Sequence, residues 1–144
     1  MRGAARWLTF GALVLALGCG KTQMPPTQLR NAETAYSEAV EAFQEKDYAT
    51  ALERFNAAIE ETGLNPDLFA HALLRSADCH IELGNLEEAA IVLDELEPNA
   101  PELDQFHLVR CKLYAKQGDA AKARTAYEAA REINPAVEPP VALN

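Results

Sequence analysis

Two cysteines and two histidines in the middle of this chain are the residues with chemistry to offer. Cys79 is followed by His80, and His107 stands four residues before Cys111. Thiolate and imidazole are soft-metal ligands, and residues four apart share a helix face. A metal- or redox-linked accessory role is therefore one reading. Ordinary packing is the other, because free cysteine is among the most buried residue types. A disulfide needs Cα atoms within about 7 Å, whereas neighbouring helices pack about 8–10 Å apart. The balance favours two buried free thiols and no metal. The sequence holds no Gly-rich phosphate loop and no Ser/His/Asp or Cys/His motif in a catalytic context. Its many carboxylates fall at helical spacings and read as solvated faces. We expect no enzyme and no cofactor.

These residues lie in a repeat. Gly84 recurs as Gly118, Ala89 as Ala123, Leu93 as Tyr127 and Pro101 as Pro135, all at one constant spacing. A weaker copy upstream runs through Asp47, Ala51, Phe55, Ala58 and Pro66. The step from Ala51 to Ala89 is four positions longer than the step from Ala89 to Ala123. The four extra residues are expected near Thr62-Gly63-Leu64-Asn65, in a loop where insertions cost little. Each copy carries a small residue after a turn, a large apolar one a turn later, a small one again, and a closing proline. This pattern, at a period of about 34 residues, resembles the tetratricopeptide repeat. The resemblance spans about Leu29 to Pro135.

The resemblance implies an all-α fold: three helical hairpins stacked as a short right-handed α-solenoid. Repeats are expected at about 32–65, 66–100 and 101–135. Where the two helices of a hairpin cross, small side chains let the backbones approach. Ala51, Ala89 and Ala123 fill that slot on the second helices; Ala39, Ala77 and Cys111 fill it on the first. Phe55, Leu93 and Tyr127 would bury into the next repeat. No strand-like alternation competes with the helical pattern.

In this family the first helices line a concave groove that takes a peptide or helix from another protein. The groove slots carry over to Glu33, Tyr36, Val40, Phe43 and Gln44, then His71, Leu74, Asp78, Ile81 and Glu82, then Gln105, Leu108, Lys112, Ala115 and Lys116. They suggest an apolar strip (Tyr36, Val40, Phe43, Leu74, Ile81, Leu108) that is acidic at one end and basic at the other. The Lys/Asn/Arg clamp by which some relatives hold a C-terminal carboxylate is absent: Tyr36, Val40, Gln105 and Val109 stand in those slots. The uncovered last helix, with Lys122, Thr125, Arg131 and Glu132 outward, is a second candidate surface. Val137, Val141 and Leu143 of the tail are placed to fold back over it.

Charge narrows the partners. The chain has a net charge of −9. From Leu29 to Ala100 there are 4 Lys+Arg against 16 Asp+Glu, and from Pro101 to Pro135 there are 6 against 5. Such a surface repels phosphate, so nucleic acid is not an expected ligand. The N-terminus has a different composition: Arg2 and Arg6, then an apolar run from Trp7 to Leu17. That run is too short to span a bilayer, which takes about 20 residues, and fits a secretory signal. It closes Leu15-Ala16-Leu17-Gly18-Cys19, which resembles a bacterial lipobox, though Ala16 and Leu17 replace the commoner order of a leucine followed by a small residue. The resemblance implies cleavage before Cys19 and its acylation, with ordinary cleavage or an uncleaved anchor as alternatives. Gly20, where Asp resembles an inner-membrane retention signal, points to an outer-membrane anchor facing the periplasm; inner-membrane anchoring or a soluble periplasmic protein are the alternatives.

The organisation expected is a lipoprotein signal at 1–18, a lipidated cysteine and polar linker at 19–28, the repeat domain at 29–135 and a Pro-rich tail at 136–144. Helices are expected at 29–45, 49–61, 67–83, 87–96, 102–116 and 120–133. The function expected is a membrane-anchored adaptor for another protein in an envelope assembly such as pilus, secretion or outer-membrane biogenesis machinery.

Overall fold

The computed structural model describes residues 26–61 and 63–140. Among them six α-helices follow one another: α1 (Pro26–Gln44), α2 (Tyr48–Glu60), α3 (Pro66–Leu83), α4 (Leu86–Leu96), α5 (Leu103–Lys116) and α6 (Ala120–Ile133). A 3₁₀ turn, Glu97–Asn99, sits between α4 and α5. There is no strand among the described residues. Each helix packs on the next in sequence, and α3 also packs on α5. This is an all-α solenoid of three hairpins, α1/α2, α3/α4 and α5/α6. The segment read above as a secretory signal, Cys19, most of the expected linker and Val141 and Leu143 lie outside the described residues.

The turns within the hairpins share a left-handed residue, and those of the first and third hairpins add a side-chain cap that Asn85 of the second does not make. Asp47 and Asp119 accept hydrogen bonds from the amides of Thr50 and Lys122, at 3.2 and 3.0 Å. Hydrogen bonding from the Thr50 side chain and amide holds the Asp47 carboxyl below its ordinary range, and the Lys122 amide and side chain do the same for Asp119. Gly84 and Gly118 adopt φ of +85° and +80°, the left-handed conformation that reverses the chain after a first helix. In the first hairpin Lys46 occupies this position at φ +62°, which is costlier for a side chain with Cβ.

The small-residue slots are occupied as steric argument requires. Ala39, Ala51, Ala77, Ala89, Cys111 and Ala123 are all 0% exposed. Phe55 and Leu93 fill the spaces between hairpins, at 0% and 1% exposure. Tyr127, in the last repeat, is only half-buried because no further helix follows it among the described residues.

Two expectations are corrected. The four extra residues of the first repeat do not enlarge a loop. They lengthen helices: α2 has 13 residues against 11 in α4, and α3 has 18 against 14 in α5. Asn65 accepts from the Leu68 amide at 2.9 Å, and Pro66 at the first helical position has its φ already set, so α3 starts as soon as the chain has turned. Likewise α1 begins at Pro26, three residues before the expected start, and takes in residues assigned to the linker.

Candidate functional site

The first helices α1, α3 and α5 share one face. Its larger hollow, about 570 Å³, lies over the first two hairpins and is lined by Tyr36, Val40, Phe43 and Gln44 of α1, Tyr48 and Phe55 of α2, His71 and Arg75 of α3, and Lys46 and Glu102. Its wall is an aromatic cluster. Phe55 meets Tyr36 edge-on at 5.9 Å and Phe43 at 6.5 Å, and Phe43 meets Tyr48 at 5.6 Å. Edge-to-face contacts at these separations are favourable for the ring quadrupoles. The Arg75 guanidinium lies 5.0 Å from the centre of the Phe43 ring. No carboxylate among the described residues pairs with Arg75. Burial pushes the Tyr36 phenol above its usual value, against the pull of Arg75.

The face continues into a second hollow of about 290 Å³. Phe43, Tyr48, Leu74, Arg75 and Asp78 line it, with Gln105, Leu108, Val109 and Lys112 of α5 and Glu138 and Pro140 of the tail. Rings, the Arg75 cation and a channel open to solvent suit an extended segment with apolar anchors.

The slots read from sequence separate into three groups. Tyr36, Val40, Phe43, Gln44, His71, Gln105 and Leu108 line the two hollows. Glu33 and Lys116 are exposed on the outer turns of α1 and α5, outside both hollows, and Ala115 packs against the cluster of Cys111, Ala123 and Ala126. Leu74 and Ile81 belong to the core shared by α3, α4 and α5, at 3% and 0% exposure, and only Leu74 also reaches the floor of the smaller hollow. The apolar strip is therefore shorter than expected. The reason is topological: α3 is flanked by a hairpin on each side, so slots that stay open on α1 close over on α3.

Asp78 and Lys112 have a second role besides lining the smaller hollow. They occupy the same slot in adjacent repeats, at a sequence separation of 34, and bind each other. Lys112 Nζ donates to Asp78 Oδ1 and Oδ2 at 2.8 and 3.0 Å, and Glu82 Oε1 is 3.8 Å away. The pair ties hairpin two to hairpin three, and both side chains also line the smaller hollow. Arg75, Tyr48 and Lys46 are lining residues that slot arithmetic misses. Arg75 lies four residues from His71, so the helical face itself carries the signal.

At the open end a third hollow of about 360 Å³ is formed by α5 and α6 alone, with Lys122, Thr125, His107, Arg110 and Tyr114 among its walls. Arg110 is held there by Glu97 and by Tyr114, to whose hydroxyl it donates at 2.7 Å. Arg131 lies over the Tyr127 ring and does not line this hollow.

Cys79 and Cys111 are both free and fully buried, in different clusters. Among the described residues no group of three His, Cys, Asp or Glu is placed to hold a metal ion. Burial pushes the Cys79 thiol up to about 12, with Asp78 adding to the shift, and raises Cys111 as well. Thiolate is the reactive form, so at pH 8 the Cys79 thiolate is scarcer than that of an ordinary thiol by about a thousandfold. A disulfide-exchange reagent is expected to leave both thiols unmodified in the folded protein and to titrate both after denaturation. Fast modification of either in the folded state would contradict this placement.

His80 and His107 are half-buried, and burial lowers both below the ordinary value near 6.5. The unfolded chain therefore binds more protons around pH 6, so their contribution is complete above 6.5 and is lost as pH falls through the folded values. We expect the melting temperature to fall between pH 7 and pH 5. The slope should flatten in the His80→Gln/His107→Gln variant, and an unchanged slope would rule these two out as its source.

Residues 42–110 match the Tetratricopeptide repeat family. The match begins in the last turn of α1 and ends within α5, and so takes in the whole of the second hairpin. No curated protein matches the chain. Repeats of this family are associated with protein–protein interaction and are generally non-catalytic.

Proposed function

We propose that these tetratricopeptide hairpins form the docking head of a membrane-anchored adaptor, which holds an extended or helical segment of another protein in its concave face. The observation that carries the reading is the pair of adjoining hollows across α1, α3 and α5, which share Phe43, Tyr48 and Arg75 in their walls. Aromatic walls give contact area at low entropic cost, and Arg75 gives a fixed point for a carboxylate. The acidic surface elsewhere disfavours nucleic acid and anionic lipid as direct ligands.

The anchor is Cys19, acylated after cleavage of residues 1–18, on the periplasmic side of an outer membrane. The apolar run and the Leu-Ala-Leu-Gly-Cys sequence support this reading. No helix among the described residues is long and apolar enough to cross a membrane. Several acyl chains, each buried CH₂ contributing about 0.8 kcal/mol, make attachment effectively permanent. The site served is an envelope assembly of the pilus, secretion or outer-membrane biogenesis kind.

Two variants test the two halves. Crosslinking and affinity capture from envelopes should recover a partner with the native chain and lose at least ninety per cent of it with Arg75→Glu/Leu108→Asp. Undiminished recovery removes the groove. Cys19→Ala should move the protein from the membrane to the soluble fraction, and unchanged membrane retention removes the lipid anchor.

A further inference from the structure

The chain does not end at α6. Its tail turns back into the concave face. Asn134 closes α6 and donates from Nδ2 to Asp104 Oδ2 at the start of α5, at 2.9 Å. Its own Oδ1 and carbonyl accept the amides of Ala136 and Val137 at 3.1 and 3.2 Å. Tyr127 Oη donates to the Val137 carbonyl at 3.3 Å. These bonds direct the next residues across α5. Glu138 and Pro140 then stand at the 290 Å³ hollow beside Leu108, Lys112 and Arg75.

We propose that this tail, Ala136–Pro140, is a tethered occupant of the groove, so that a partner segment binds by displacing it. The inference rests on the groove reading above and adds its regulation. The tail has the chemistry the hollow calls for. Pro139 and Pro140 favour an extended backbone and lack amide hydrogens that would need partners. Glu138 brings a carboxylate to the end of the channel that holds Arg75 and Lys112. Aromatic-lined grooves take proline-rich extended segments because little conformational freedom is lost. The tail reaches only the smaller hollow, and the larger one next to it is where a longer competing segment gains contacts the tail does not make.

Tethering fixes the expected magnitude. A short tether gives an effective concentration in the millimolar range. If the tail fills the groove nine-tenths of the time, a free peptide binds the native chain about tenfold more weakly than a chain whose tail is released. The released chain is a full-length variant in detergent with Val137→Gly, Glu138→Ser, Pro139→Gly and Pro140→Ser, which leaves all six helices untouched. The probe is a fluorescent peptide of residues 134–144. The expected result is binding to the released chain at least tenfold tighter than to the native chain, and loss of that binding when Arg75→Glu/Leu108→Asp is added. Equal affinity for native and released chains overturns the proposal, as does binding that survives the groove substitutions. No peptide binding to the released chain, with partner capture still dependent on Arg75 and Leu108, overturns the tail's role and leaves the groove standing. Loss of both would remove both.

Discussion

Replacing Phe55 with alanine is expected to lower the unfolding free energy by roughly 4 kcal/mol, the range for a buried aromatic whose site cannot collapse. Phe55 is 0% exposed and is the ring on which Tyr36 and Phe43 both pack edge-on. It lies in the cluster that joins α1 and α2 to Ala72 and Cys79 of α3. Its loss opens a cavity between the first two hairpins and also removes a wall of the larger hollow. A domain of this size should lose on the order of 15 °C in melting temperature. Urea unfolding followed by helical circular dichroism checks it. A loss below about 1 kcal/mol would mean that the first hairpin does not depend on the second.

Lys112→Met is expected to cost about 3 kcal/mol, although the lysine is only partly buried. Its side chain is 31% exposed, whereas that of Asp78 is 4% exposed. Removing the lysine leaves a carboxylate between α3 and α5 without its two charge-assisted hydrogen bonds. Glu82, the other carboxylate near the lysine, adds repulsion once the positive charge is gone. The decisive comparison is the Asp78→Leu/Lys112→Leu variant, which orphans no charge and should recover most of the loss. A double variant as unstable as the single one would show that the lysine's methylenes, not its charge, hold the hairpins together.

These two residues also mark how far the sequence can be read. Phe55 and the small-residue slots are legible because they follow from local sterics repeated at a fixed period. Asp78 and Lys112 stand visibly one period apart, but slot arithmetic treats each repeat as facing a ligand and not its neighbour. The same rule puts Ile81 in the groove, because it does not know that α3 is covered on both sides. The extra residues of the first repeat read as a loop because insertions are usually tolerated there. The cap and proline at Asn65-Pro66 turn them into helix instead. The direction of the tail depends on the Asn134–Asp104 bond, a tertiary contact across 30 residues that no local pattern announces.

The two hollows of the concave face lie next to each other only because three hairpins stack in one direction. Neither can be read as a property of one repeat. Tyr36 comes from the first hairpin, Arg75 from the second and Leu108 from the third. The convex side offers a natural control, since Ile91 of α4 is 59% exposed and lines none of the hollows described above.

Site-specific photocrosslinking of the full-length chain in its native cells is the most direct test. A photoreactive residue placed in turn at positions 36, 108 and 91 reports which face a bound protein touches. Adducts with one partner from positions 36 and 108, and none from 91, are the predicted result. Adducts from 91 with none from 36 or 108 would contradict the concave face as the docking surface.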